Sequence, residues 1–223
     1  MIKAVLFKEW LKMKWAFWGL LILWLVVVLY VYIDIVHQLK FYEASIIWYN
    51  IVTLGLSYYS IIFYLPVLSG LILGIAQFVP EITEKRLKLT LHLPIKENRI
   101  LFSMISIGGL MLLVLYLVSI FGLIFVSSMF YASQITVSML ITIAPWYFAG
   151  IVIYFSSAMI ILEPIWLRKI LYLPVALGFT NLLLEEGWFN MYEKSLITFL
   201  VLTLFFILSV LITGFRFKRG AMK

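Results

Sequence analysis

The sequence predicts an all-α integral membrane protein with six transmembrane helices and both termini in the cytoplasm. Composition, six long apolar segments and a one-sided distribution of basic residues predict this class. The 223 residues are 65% hydrophobic and 12% charged, with a mean hydropathy of +1.13. Soluble domains are about 45–50% apolar and about 25% charged. One soluble core cannot absorb this excess, so composition excludes a soluble enzyme, a disordered chain and a nucleic-acid-binding domain.

The six spans are read from apolar length, because a membrane helix needs about 20 mainly apolar residues. None of the segments alternates apolar and polar residues as barrel strands do. The first run is too long for a signal peptide and lacks a small-x-small cleavage site, so we expect a retained helix. The fifth segment is short. The predicted spans cover residues 17–36, 58–79, 100–129, 137–162, 170–184 and 195–215.

The basic residues orient these spans. Of 17 Lys and Arg, 15 fall on the side that holds both termini, and only Lys40 and Lys194 fall on the other. The positive-inside rule therefore predicts a multi-pass protein of the cytoplasmic membrane with its termini inside. The net charge of +7 then reflects topology, and it indicates contact with the lipid bilayer rather than with nucleic acid. The absence of cysteine excludes disulfides and thiolate sites and fits a bacterial protein.

Residues 2–16 are amphipathic at helical spacing. We expect an interfacial helix at the inner leaflet, with lysines among the headgroups and tryptophans at the boundary. The alternative is a basic flank that happens to be helical. The apolar positions are Leu6, Trp10, Met13 and Phe17, and the lysines between them are Lys8, Lys12 and Lys14.

The cytoplasmic loop 81–99 has two interpretations. Its centre alternates polar and apolar residues, as a strand does. A lone strand would have unpaired edges, whereas a helix places Ile82, Leu89 and Leu93 on one stripe and ends before Pro94. We therefore predict a helix here. Its apolar residues need a cover, either a partner protein or the membrane surface.

Ionisable residues are missing from the centres of the predicted spans, since Asp34 and Glu163 stand at span ends. Ion-coupled transporters and intramembrane hydrolases place such groups at mid-membrane. Glu185 and Glu186 resemble the paired glutamates of CAAX-type proteases, but Asn190 replaces that motif's arginine. No phosphate-binding loop motif occurs. We expect no enzymatic activity, no metal site and no cofactor on this chain.

Uncharged polar and small residues are the candidates for a dimer interface or a translocation path. The tyrosines also fit an interfacial belt, and a GxxxG pair also fits helix packing within one chain. The candidates are Tyr58, Tyr59, Tyr64, Gly70, Gly74, Gln77 and Asn181.

The order of these features resembles the type-2 permease subunits of ATP-binding-cassette (ABC) transporters. That family often has a glutamate after the second span, a leucine-rich stretch and a proline thirteen residues later, and Glu81 and Pro94 stand at this spacing. The family usually has Gly-Thr where this chain has Lys85 and Arg86, so the local match is partial. The topology covers the whole chain, as a single permease domain over residues 1–223.

The resemblance implies a division of labour between chains. Residues 82–93 would form a coupling helix that docks on a separate ATPase subunit, present in two copies, which binds ATP and Mg²⁺. A second permease chain, identical or a sister, would complete an export path, and residues 181–193 would form an outer re-entrant element. The alternative is a non-transporting accessory or scaffold subunit. The implied docking residues are Glu81, Ile82, Lys85, Arg86, Leu87, Leu89, Leu91, Leu93 and Pro94.

Overall fold

The computed structural model describes residues 2–53, 57–83, 97–185 and 192–206, and every regular element in these ranges is helical. A short 3-10 turn, Ser60–Ile62, precedes the third helix. The α-helices in chain order are α1 (Ile2–Phe41), α2 (Ala44–Val52), α3 (Leu65–Thr83), α4 (Glu97–Phe130), α5 (Ser133–Leu162), α6 (Trp166–Leu183) and α7 (Leu196–Phe206).

Four segments are long and apolar enough to cross a membrane: 4–41, 60–83, 100–130 and 133–162. They overlap the first four predicted spans, so the chain is membrane-embedded, and the regular elements of its described residues are helical. The fifth prediction corresponds to α6, which has 18 residues and carries two basic residues in its first turn. The sixth begins as α7, and its remainder lies outside the described residues. The count of six therefore stays a prediction.

Residues 2–16 do not form a separate helix. They are the N-terminal part of α1, which runs for 40 residues without interruption and is about 60 Å long at 1.5 Å per residue. Val5, Glu9 and Met13 are buried there against the other helices. These residues are helical, as predicted, but they continue into the first span and their apolar stripe packs against protein, because such a stripe does not distinguish a lipid surface from a protein surface. Their position at the inner leaflet stays a prediction.

The helices pack in a defined set of pairs. α3 lies mainly against α5, α1 against α4, and α6 against α5. At the α3–α5 contact the backbones approach closely: a Cβ on Gly70 would overlap the carbonyl of Gly150, and one on Gly74 would overlap Ser157. Both predicted glycines thus serve packing within the chain, which was one of the two roles considered for them.

The middle of the bundle is closed by a group that we call the Trp24 centre, after its fully buried indole. Trp24 Nε1 donates to Ser69 Oγ at 3.0 Å, and its ring stacks on Tyr147 at 5.8 Å. The Tyr116 hydroxyl donates to the Pro66 carbonyl at 2.9 Å. Because these buried polar atoms are paired, they cost little in a low-dielectric interior. The side chains of the Trp24 centre also fill the middle of the described bundle.

Candidate functional site

The inner end of the bundle, as the basic residues orient it, holds a buried set of charges that we call the inner charge cluster: Lys8, Glu9 and Lys12 of α1 and Glu81 of α3. Glu81 Oε1 lies 2.8 Å from Lys8 Nζ and 2.9 Å from Lys12 Nζ. Lys12 Nζ also lies 2.8 Å from Glu9 Oε2. Both carboxylates are fully buried, and the Lys12 side chain is only 7% exposed. Two positive and two negative groups thus neutralise one another, as burial of charge requires.

Gln77 extends this cluster to two further helices. Its Nε2 donates to Glu9 Oε2 at 3.0 Å and to the Met104 carbonyl of α4 at 2.6 Å. Its Oε1 accepts a hydrogen bond of 2.6 Å from the Tyr154 hydroxyl of α5. A Cβ on Gly108 would occupy the space of both Gln77 and Tyr154. The last two turns of α3 are therefore connected to α1, α4 and α5 by polar contacts.

One acceptor in the cluster is left open. Glu81 Oε1 receives both lysine amines, whereas Glu81 Oε2 is buried and has no hydrogen-bond partner. An uncompensated buried carboxylate oxygen costs free energy. The cluster can therefore gain stability if a small movement brings a donor to Oε2.

A second ion pair ties α5 to α6. The Glu163 side chain follows α5 and is fully buried, and its Oε1 lies 3.6 Å from Arg168 Nη1 in the first turn of α6. This distance exceeds that of a hydrogen bond, so the contact is an ion pair alone. It fixes the turn between the two helices.

The predicted docking residues fall into two groups, those at the end of α3 and those beyond it. Glu81 is buried and its carboxylate faces the lysines of its own chain, so the structure gives it an intramolecular role. Ile82 is half-buried against the core. Residues 84–93 of the predicted coupling helix lie outside the described residues, and docking stays a prediction. The residues concerned are Lys85, Arg86, Leu87, Leu89, Leu91, Leu93 and Pro94.

The predicted interface and path residues do not gather at one site. Tyr58 and Tyr59 are buried at the outer end, where the Tyr58 hydroxyl shares a hydrogen bond of 2.8 Å with Ser127. Tyr64 is 68% exposed, and Asn181 is exposed on α6. Gln77 belongs instead to the polar contacts around the inner charge cluster. Their roles in a dimer or a path stay predictions.

Sequence reasoning missed Glu9 and misplaced Lys12, which was expected among lipid headgroups. A signal was present: Glu9 lies four residues from both Val5 and Met13, so it occupies an apolar stripe as the only acid of the basic N-terminal segment. A carboxylate on that stripe requires a buried cation. Tyr154 gave no comparable signal, because tyrosines are common in apolar helices.

A cavity of about 640 Å³ opens at the other end of the bundle, and we call it the outer cavity. It lies between the end of α1, α2 and the segment 57–61. Gln38 Nε2 donates to Asp34 Oδ2 at 2.8 Å inside it. Its size falls in the range of small-molecule sites. The side chains with polar groups that line it are Tyr30, Asp34, His37, Gln38, Tyr42, Asn50, Ser57, Tyr58 and Ser60.

The tyrosines around the outer cavity stay protonated near neutral pH. Burial raises the pKa of Tyr58 and of Tyr59. Burial, with the nearby negative charge of Asp34, raises the pKa of Tyr131 to about 12. These hydroxyls are therefore neutral hydrogen-bonding groups.

No family model matches the chain, and no curated protein and no solved structure matches it either. Within the described ranges, no three His, Asp or Glu side chains lie close enough to hold a metal ion together. The inner charge cluster and the outer cavity are the two candidate sites of the described residues.

Proposed function

We propose that the chain is the membrane-spanning permease subunit of an ATP-driven ABC exporter in the cytoplasmic membrane of a bacterium. Its six spans place both termini inside, and the coupling helix over residues 82–93 docks on a separate ATPase subunit. One observation carries the proposal: the helix that leads into this segment is tied by buried charges and hydrogen bonds to three other helices.

The inner charge cluster supports a path for mechanical coupling. A force on the coupling helix acts first on the last turn of α3, where Glu81 pairs with two lysines of α1. One turn earlier, Gln77 contacts α4 and α5. Buried ion pairs hold one geometry and exchange it for another discretely, which suits a bundle that switches between two states. ATP binding on the partner supplies the free energy for the switch.

The filled centre of the described bundle supports a substrate path that lies between two permease chains and not within one chain. The Trp24 centre fills the middle of the described bundle with paired aromatic and hydroxyl groups. A route for substrate then lies on the outside of the bundle, where a second permease chain, identical or a sister, provides the other wall. Two ATPase subunits with ATP and Mg²⁺ complete the assembly.

A pulldown in mild detergent tests the proposal. The tagged full chain is recovered from its native membrane, and its partners are identified and quantified. We expect one ATPase subunit per permease chain. Leu89→Asp should abolish recovery of the ATPase, because a charge on the apolar stripe disrupts a packed interface. Thr90→Asp is the matched control, with the same charge one residue away, and it should retain the ATPase.

Two results would contradict this function. Recovery of the chain alone, or only with membrane proteins that lack ATPase activity, would favour the accessory-subunit alternative. Equal recovery of the ATPase with Leu89→Asp and with the parent chain would remove the docking assignment. The thermal unfolding of each variant is recorded beside the pulldown, so that misfolding is not mistaken for loss of docking.

A further inference from the structure

The outer cavity carries the negative charge of Asp34, and its lining pairs this charge with His37 but with no lysine or arginine. Asp34 is the one carboxylate among the described residues that line it, and neither Lys nor Arg belongs to that lining. Gln38 satisfies only one Asp34 oxygen, and it does so as a neutral donor. The charge of Asp34 is therefore balanced neither by a lysine nor by an arginine of the lining.

Aromatic residues line the same cavity as the Asp34 carboxylate. Tyr30 and Tyr42 line the cavity and are more than half exposed, whereas Tyr58 forms part of its buried wall. Tyr131 stacks on Tyr58 at 4.8 Å, and burial, with a smaller contribution from the nearby charge of Asp34, raises its pKa. Aromatic faces attract cations, most strongly where water is partly excluded.

We infer that the outer cavity is a binding site for an organic cation with an apolar body, such as a substituted ammonium or phosphonium. Asp34 supplies the charge, and Tyr30, Tyr42 and Tyr58 supply ring surface. Ile47 and Ile51 of α2 supply apolar contact for the body. A cation of this kind satisfies charge and rings together, whereas a neutral or anionic ligand leaves the carboxylate uncompensated. The inference does not depend on an ATPase partner.

Equilibrium dialysis with tetraphenylphosphonium tests the site. The full chain is placed in lipid nanodiscs without any partner, and empty nanodiscs correct for partition into lipid. We expect saturable binding by the parent chain, and tetraphenylborate, an anion of the same shape, should not compete. Asp34→Asn should weaken binding by at least about tenfold. Glu43→Gln, which removes an exposed acid outside the cavity, should bind as the parent does.

A second variant tests the cavity without changing Asp34, so that a folding defect of one variant is not mistaken for loss of the site. Ser60→Trp places a large ring in the cavity mouth from an exposed position, and it should also abolish saturable binding. The absence of saturable binding by the folded parent chain would overturn the inference. So would parent-like binding by folded Asp34→Asn and Ser60→Trp chains. Because no ATPase is present, either result leaves the pulldown test unaffected.

Discussion

Lys12 sits between two buried carboxylates, one from its own helix and one from α3. Its four-carbon stem lets an amine from an apparently peripheral segment reach the interior of the bundle. Residues with this role are hard to find in a sequence, because a lysine near a membrane helix end usually faces headgroups. The acid nearby, Glu9, was the readable clue, and the partner Glu81 lies 69 residues from Lys12, beyond any local pattern.

Removal of the Lys12 amine should destabilise the fold. Lys12→Met keeps the apolar stem but leaves Glu9 and Glu81 with one fewer cation, and we expect a loss of about 3 kcal/mol. Lys14→Met is the matched control: its amine lies over the Trp15 ring, outside the cluster, and the loss should stay below about 1 kcal/mol. Thermal unfolding followed by tryptophan fluorescence measures both. Equal losses of unfolding free energy in the two variants would show that the Lys12 amine stabilises the fold no more than the Lys14 amine does.

The Tyr154 hydroxyl should matter more than its ring. Tyr154→Phe deletes the hydrogen bond to Gln77 Oε1 and leaves a buried amide oxygen without its donor, at a cost of about 1–3 kcal/mol. Tyr30→Phe removes a hydroxyl from an exposed tyrosine and should change the unfolding free energy by less than about 0.5 kcal/mol. Denaturation in increasing SDS compares the two variants. A neutral Tyr154→Phe result would mean that water replaces the hydroxyl.

At the scale of elements, the first four long helices were predictable and their neighbours were not. A run of 20 or more apolar residues is a strong signal, and the ends of α4 and α5 fall within about four residues of the predicted ones. Which helices touch depends on features with no local signature. Gly70 and Gly74 indicated a close contact, but Gly150 on α5 completes it, and that glycine belongs to no GxxxG pair.

The α3–α5 contact should reject even one methyl group. Gly150→Ala places a Cβ against the Pro66 carbonyl and the Tyr116 hydroxyl, so we expect a loss of about 1–3 kcal/mol from overpacking. Gly109→Ala in α4 meets nothing within 4 Å and should stabilise the helix by about 0.5–1 kcal/mol. Opposite shifts in thermal midpoint check this pair. Shifts of the same sign would mean that α3 and α5 can separate without cost.

At the scale of the whole molecule, the number of crossings remains to be measured, and the chain is well suited to it because it has no cysteine. Single cysteines can report sidedness through a membrane-impermeant thiol reagent. Ser45→Cys and Ala132→Cys should react in intact cells, since both positions are exposed and follow a crossing that the positive-inside rule predicts to run outward. Thr83→Cys and Ile165→Cys should react only after permeabilisation.

The same reagent decides between four spans and six. Glu193→Cys lies between α6 and α7, so it should react in intact cells if α6 crosses the membrane. Reaction only after permeabilisation would contradict the fifth and sixth spans. The sequence left this open for a physical reason: α6 is 18 residues long and carries Arg168 and Lys169 in its first turn, so its apolar length is marginal for a crossing.

One continuous helix contains residues of every site described for this chain. α1 holds Lys12 in the inner charge cluster, Trp24 in the centre and Asp34 in the outer cavity. The rise from Lys12 to Asp34 is about 33 Å, roughly the hydrocarbon thickness of a bilayer. Because an α-helix is stiff along its axis, we expect a displacement of α1 at one face of the membrane to be transmitted to the other.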